Sequence, residues 1–127
     1  MRALAIAALS ISVAFFSGAA RSQTQKTVTV VAYSGVFQDR YTEAVIAPFM
    51  RANPDIKVEY FAMPNSAQML GTMRAQKSAP QADIVIMDSS FSKAATDDGL
   101  LTPIDANVSK NFDSLYPAAI IKGIDGV

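Results

Sequence analysis

Apolar positions along the chain fall into three β-type runs separated by stretches with helical spacing. In the first, Val28, Val30 and Val31 with Ala32 and Tyr33 make a β-branched, nearly continuous apolar strand, the pattern of a parallel strand covered on both faces. After Ser34-Gly35, Phe37, Tyr41, Val45 and Phe49 recur four apart and predict one buried helix face, with Asp39 as its N-cap. Pro48 inside that pattern predicts a kink or a new short turn, and Asn53-Pro54-Asp55 a clean stop. Ile56–Phe61 alternates and reads as a second strand. Asn65 with Gln68 then opens a second helix in the manner of a capping box. Its stripe is Ala67, Leu70 and Met73, and Arg74 and Lys77 suit its C-terminal dipole. The apolar run Asp83–Met87 reads as a third, buried strand. A short helix from Phe91 to Asp98 follows, with Gly99 as its C′ residue and with Asp97 and Asp98 expected to be solvated or paired elsewhere. Phe112–Ile121 reads as loop and turn leading into an apolar element. The alternation of strand and helix, with gaps sized for right-handed crossovers, predicts an α/β domain on a parallel sheet.

The first twenty-odd residues obey neither period. Arg2 provides a positive start, Ala3–Phe16 is an apolar and small-residue run of about 14, and Ser17–Ser22 supplies small residues. A transmembrane anchor needs roughly 20 apolar residues. The pattern therefore predicts a cleaved signal peptide over residues 1–22, cut after Ala20 or after Ser22, with export to the periplasm. No Cys lies near the site for lipid attachment, and no Arg-Arg pair marks the twin-arginine route.

Composition narrows the chemistry. Eleven Lys and Arg balance eleven Asp and Glu, so no basic stripe is available to follow a nucleic-acid backbone. Cys is absent, which excludes disulfide staples, and His is absent, which removes the usual general base and the commonest metal ligand.

In open α/β sheets, ligands bind beyond the carboxyl ends of the strands. Here that edge comprises Ser34-Gly35, Met63–Ser66 and Asp88-Ser89-Ser90, where hydroxyls, an amide and a carboxylate meet the N–H groups of helix starts. Gly35 permits close approach of a ligand to the backbone. Each residue also has a plainer role. Ser34-Gly35 can be a tight turn and no more, and Asp88, Ser89 or Ser90 can simply cap the following helix. Tyr33, Phe37 and Tyr41 read as core. Sequence signatures of phosphate loops, dinucleotide folds, nucleophile elbows and zinc proteases are missing. Ser90 and Lys93 have the spacing of a serine–lysine acylase, without its companion motifs, and stand as the enzymatic alternative.

The segments VTVVAYSGVFQDRYTEAVIAPFMRANPDIKVEYF, LGTMRAQKSAPQADIVIMD and DDGLLTPID together resemble the N-terminal lobe of an extracellular solute-binding protein of an ABC importer. The resemblance covers Lys26–Val127 and is nearest the type II fold, in its polyamine (spermidine/putrescine) and iron(III) branch. It implies a three-layer parallel-sheet lobe, a cleft between two lobes, and a monomer that docks on membrane permease subunits without cofactor or catalysis. The ligand-binding residues it implies are Ser34, Gly35, Asp88, Ser89 and Ser90. Family members are much longer, with a second lobe inserted after a crossover, so residues 26–127 are expected to be part of a first lobe whose partner lobe is missing. Asp88 favours a cationic amine, while helix N-termini favour an anion.

Overall fold

The computed structural model describes residues 25–105, 107 and 109–125. The expected leader lies outside the described residues. Three strands, β1 (Lys26–Tyr33), β2 (Ile56–Met63) and β3 (Ile84–Val85), form one parallel sheet in the order β2-β1-β3. The long apolar strand β1 takes the central place, and the alternating β2 and the short β3 take the edges. β1 and β2 pair along their whole length, from Lys26 opposite Ile56 to Tyr33 opposite Met63. Their carboxyl ends are therefore level.

The first helical stretch differs from its sequence pattern in an instructive way. It runs as α1 (Val36–Tyr41), a π-helical turn (Thr42–Ile46) and α2 (Ala47–Ala52). Pro48 has no N–H to give to the carbonyl four residues back, and the widened turn just before it accommodates that loss. A π turn adds one residue, so the buried stripe steps by five: it passes from Tyr41 to Ile46, which is buried, and on to Met50. Val45 and Phe49, expected inside, are left exposed. Met50 is turned toward β2, where its sulfur accepts the Val58 N–H at 3.4 Å. Asn53 ends the helix as expected, with its backbone N–H and its side-chain amide both on the Phe49 carbonyl at 2.9 Å.

α3 (Ser66–Ala75) begins at Asn65, whose Oδ1 accepts the Gln68 N–H at 2.9 Å. Met69 and Leu70 carry its buried face; Ala67 is exposed. The third strand is shorter and less buried than its apolar run suggests, and Ile84 is 48 % exposed. Asp83 takes the Thr29 N–H on its own carboxylate at 2.8 Å, replacing a ladder bond at the strand's start, and pairing ends with Ile86 N–H on Val31 at 2.9 Å. α4 (Ser89–Asp97) starts two residues earlier than its apolar spacing indicates. It closes in a Schellman motif: Gly99 (φ 63°) donates to Thr96 and Leu100 to Ala95. The two aspartates at its end are paired elsewhere, Asp98 with Arg74 at 2.7 Å and Asp97 with Lys93. Beyond Ile104 the described residues include the 3-10 turns Phe112–Ser114 and Pro117–Ala119. The core joins the sheet to the helices through Val30, Ala32, Ile46, Met69, Leu70 and Ala95.

Candidate functional site

Because all three strands are parallel, their carboxyl ends deliver Ser34-Gly35, Met63–Ser66 and Asp88–Ser90 to one edge of the sheet. The Ser34 N–H donates to the Met63 carbonyl at 3.0 Å, extending the β1–β2 ladder into the first of these loops. Gly35 then reverses the chain at φ 72°, ψ −139° and occupies the N-cap position of α1. This combination is open to glycine and strained for other residues. Asp39, expected as the cap, lies within the first turn.

Asp88 occupies the N-cap position of α4, but its carboxylate does not cap the helix. Its Oδ2 accepts the Ser66 hydroxyl at 2.8 Å, while its backbone N–H donates to the same hydroxyl oxygen at 3.0 Å. Ser66 Oγ also lies 2.6 Å from the Tyr33 hydroxyl. The ends of all three strands are thereby tied through one buried serine, which is 2 % exposed. Tyr60 adds a further tie by donating its hydroxyl to the Tyr33 carbonyl at 2.6 Å. Burial pushes the Tyr60 phenol above its ordinary value, and the neighbouring Tyr41 adds to the shift.

Ser34, Gly35, Asp88, Ser89 and Ser90 are all exposed along this edge. Ser89 and Ser90 are the first two residues of α4, where helix N–H groups lack intrahelical acceptors. On the other side of Gly35 in the chain, an aromatic row begins at Phe37. Phe37 meets Tyr33 edge-on, with ring centres 5.5 Å apart, and stacks on Tyr41 at 5.6 Å. Phe37 remains 38 % exposed, so the row is partly surface rather than wholly core. The edge presents acceptor oxygens, hydroxyls and an aromatic face.

A groove of about 630 Å³ runs along the free side of β3, walled by Ile84, Ile86, Leu101 and Ile104 among others. None of the five expected ligand residues lines it. The polar groups of the strand ends thus lie on an open edge apart from this groove, whose aliphatic wall also carries Asp83, Ser92, Thr102 and Asp125. Among the described residues, no group of three or more acidic side chains could hold a metal ion, and no helix is long and apolar enough to cross a membrane.

The serine–lysine pair does not assemble. Lys93 is bound to Asp97 one turn along α4, and both are well exposed. The Lys93 amine is thus engaged by Asp97 and makes no hydrogen bond to Ser90.

Two residues of the network escaped the sequence pattern. The sequence places Ser66 at the carboxyl edge without assigning it a partner, and it reads Tyr33 as core. The sequence signal for Ser66 is slight: in Asn65-Ser66 two residues suited to capping stand side by side, and only one can cap.

A parallel α/β lobe that gathers polar groups at the carboxyl edge of its strands has the layout in which open α/β sheets bind ligands. The chain matches the bacterial extracellular solute-binding protein family over residues 34–126, and it belongs to that family. It matches no curated protein and no solved structure.

Proposed function

We propose that this chain is the first lobe of the solute-binding component of an ABC importer, which captures a small cationic amine of polyamine type in the periplasm and passes it to membrane permease subunits. Residues 26–127 form part of that lobe, residues 1–22 serve as its export signal, and the other wall of the cleft comes from a second lobe. Ser34, Gly35, Asp88, Ser89 and Ser90 are the ligand contacts on this side.

The observation that carries the reading is the placement of Asp88. Its carboxylate sits at the carboxyl edge of the sheet with one oxygen bound to Ser66. Among the described residues no basic side chain bonds or pairs with it. An ionised carboxylate accepts hydrogen bonds and offers none, and it attracts ammonium groups. Its charge also lies against the start of α4, where it opposes the approach of an anion that the helix N-terminus alone would favour. The exposed Phe37 face beside Gly35 adds a surface on which cations are stabilised.

Nitrogen-15 NMR of the chain during titration with 1,4-diaminobutane tests this. Shifts confined to Ser34, Gly35 and Asp88–Ser90 are expected, reached at millimolar concentration because one wall of the cleft acts alone. Shifts produced at those residues by inorganic phosphate instead would overturn the amine assignment. Turnover of simple esters that is lost in Lys93→Ala would overturn the binding-protein reading in favour of the enzyme.

A further inference from the structure

We infer that Ser66 is the positioning residue of the ligand site: it orients the Asp88 carboxylate toward solute, through a hydrogen-bond chain whose direction is fixed. The inference rests on the reading of Asp88 as a ligand contact.

A serine hydroxyl has one hydrogen and two lone pairs. The Asp88 N–H, 3.0 Å away, can only donate, and it occupies one lone pair. The Asp88 carboxylate can only accept when ionised, so the single serine hydrogen goes to Oδ2 at 2.8 Å. What remains is one lone pair, and it faces the Tyr33 hydroxyl at 2.6 Å. Tyr33 is therefore the donor. Every site on the Ser66 oxygen is filled, and the chain runs Tyr33 to Ser66 to Asp88.

Serine at a helix start ordinarily caps the helix. Here Asn65 holds the cap through Gln68, which releases Ser66 for another partner. Burial keeps water from competing for its hydroxyl, since Ser66 is 2 % exposed and surrounded by protein. The Ser66 oxygen grips both the backbone and the side chain of Asp88, so the Asp88 side chain is held in one rotamer. With Oδ2 committed to Ser66, Oδ1 is the oxygen left to meet a donor on the solute. Without Ser66, Asp88 would stand at the start of a helix with its side chain released to swing back and cap it.

The test combines a ligand-free readout with a binding readout on the full chain. Hα–Hβ couplings of Asp88 report its rotamer directly. The expected result is a single rotamer in the wild type and averaged couplings in Ser66→Ala. Titration with 1,4-diaminobutane should then be weaker by roughly threefold to tenfold, the cost of ordering one side chain on binding. Ser66→Thr, which keeps the hydroxyl, should restore both readouts. Should Ser66→Ala fail to fold, Ser66→Cys keeps the volume with a poor donor and should show the same loosening. An Asp88 that stays in one rotamer in Ser66→Cys or Ser66→Ala, with unchanged diamine affinity, would overturn the inference. Loosened couplings in a protein that binds no diamine would support the positioning role and defeat the amine reading, so the two failures are distinct.

Discussion

Gly35 and Gly71 offer the same substitution with opposite expected signs. A Cβ built on either meets no atom within 4 Å beyond its adjoining backbone, so neither replacement by alanine creates a tertiary clash. Gly71 lies inside α3, where alanine is preferred to glycine by about 0.5–1 kcal/mol. Gly35 has φ 72° and ψ −139°, outside both the right-handed and the left-handed helical regions. Forcing a residue with a Cβ into such a conformation costs about 1–3 kcal/mol. Gly35→Ala should therefore destabilise by about 1–3 kcal/mol, and Gly71→Ala should stabilise by about 0.5–1 kcal/mol. For a domain of this size 1 kcal/mol corresponds to about 4–8 °C in Tm. Asparagine, which tolerates the left-handed helical region, should not rescue position 35, because its tolerance does not extend to this ψ. Urea titration followed by circular dichroism, with equal m-values, gives each difference from the midpoint. A Gly35→Ala protein within about 0.5 kcal/mol of wild type, the range of an inert surface change, would refute the claim that the backbone reversal at this edge requires glycine.

Other consequences are equally direct. Met69 is fully buried at the centre of α3, and Met69→Ala should cost about 2–5 kcal/mol by the same titration; a loss under about 1 kcal/mol would mean the core lies elsewhere. The folded state holds the Tyr60 phenol proton more tightly than the unfolded chain does. Its contribution is thus complete below the ordinary phenol range near 10 and declines as pH rises through the raised folded value. Tyr60→Phe should flatten the alkaline fall in urea midpoint, and an unchanged slope would exclude this origin.

Much of the architecture was legible from local chemistry. The Asn65 cap, the Asn53 stop and the Gly99 termination were readable because each depends on residues a few positions apart. The phase of the helix from Val36 to Ala52 was not, since a uniform spacing of four cannot anticipate the π turn before Pro48. The third strand was overextended because its apolar run carried no sign that Asp83 would bond to β1 with its own side chain. At the candidate site, the position of Asp88 at the carboxyl edge was readable from the apolar run before it. The hydrogen bonds of Ser66 were not, because their partners Tyr33 and Asp88 are 33 and 22 residues away. Hydrogen bonds that close over such distances leave no periodicity in the sequence.

The central claim is that a solute is held at this edge through the Asp88 charge. Thermal unfolding of wild type and Asp88→Asn with and without 1,4-diaminobutane tests it most directly. Asparagine keeps an oxygen for Ser66 and replaces the charged Oδ1 acceptor with an NH2 donor. The account predicts that diamine raises the wild-type Tm, by about 1.4 kcal/mol of added stability at ten times the Kd, and leaves Asp88→Asn unmoved. Equal stabilisation of both proteins, or none of either, would contradict it.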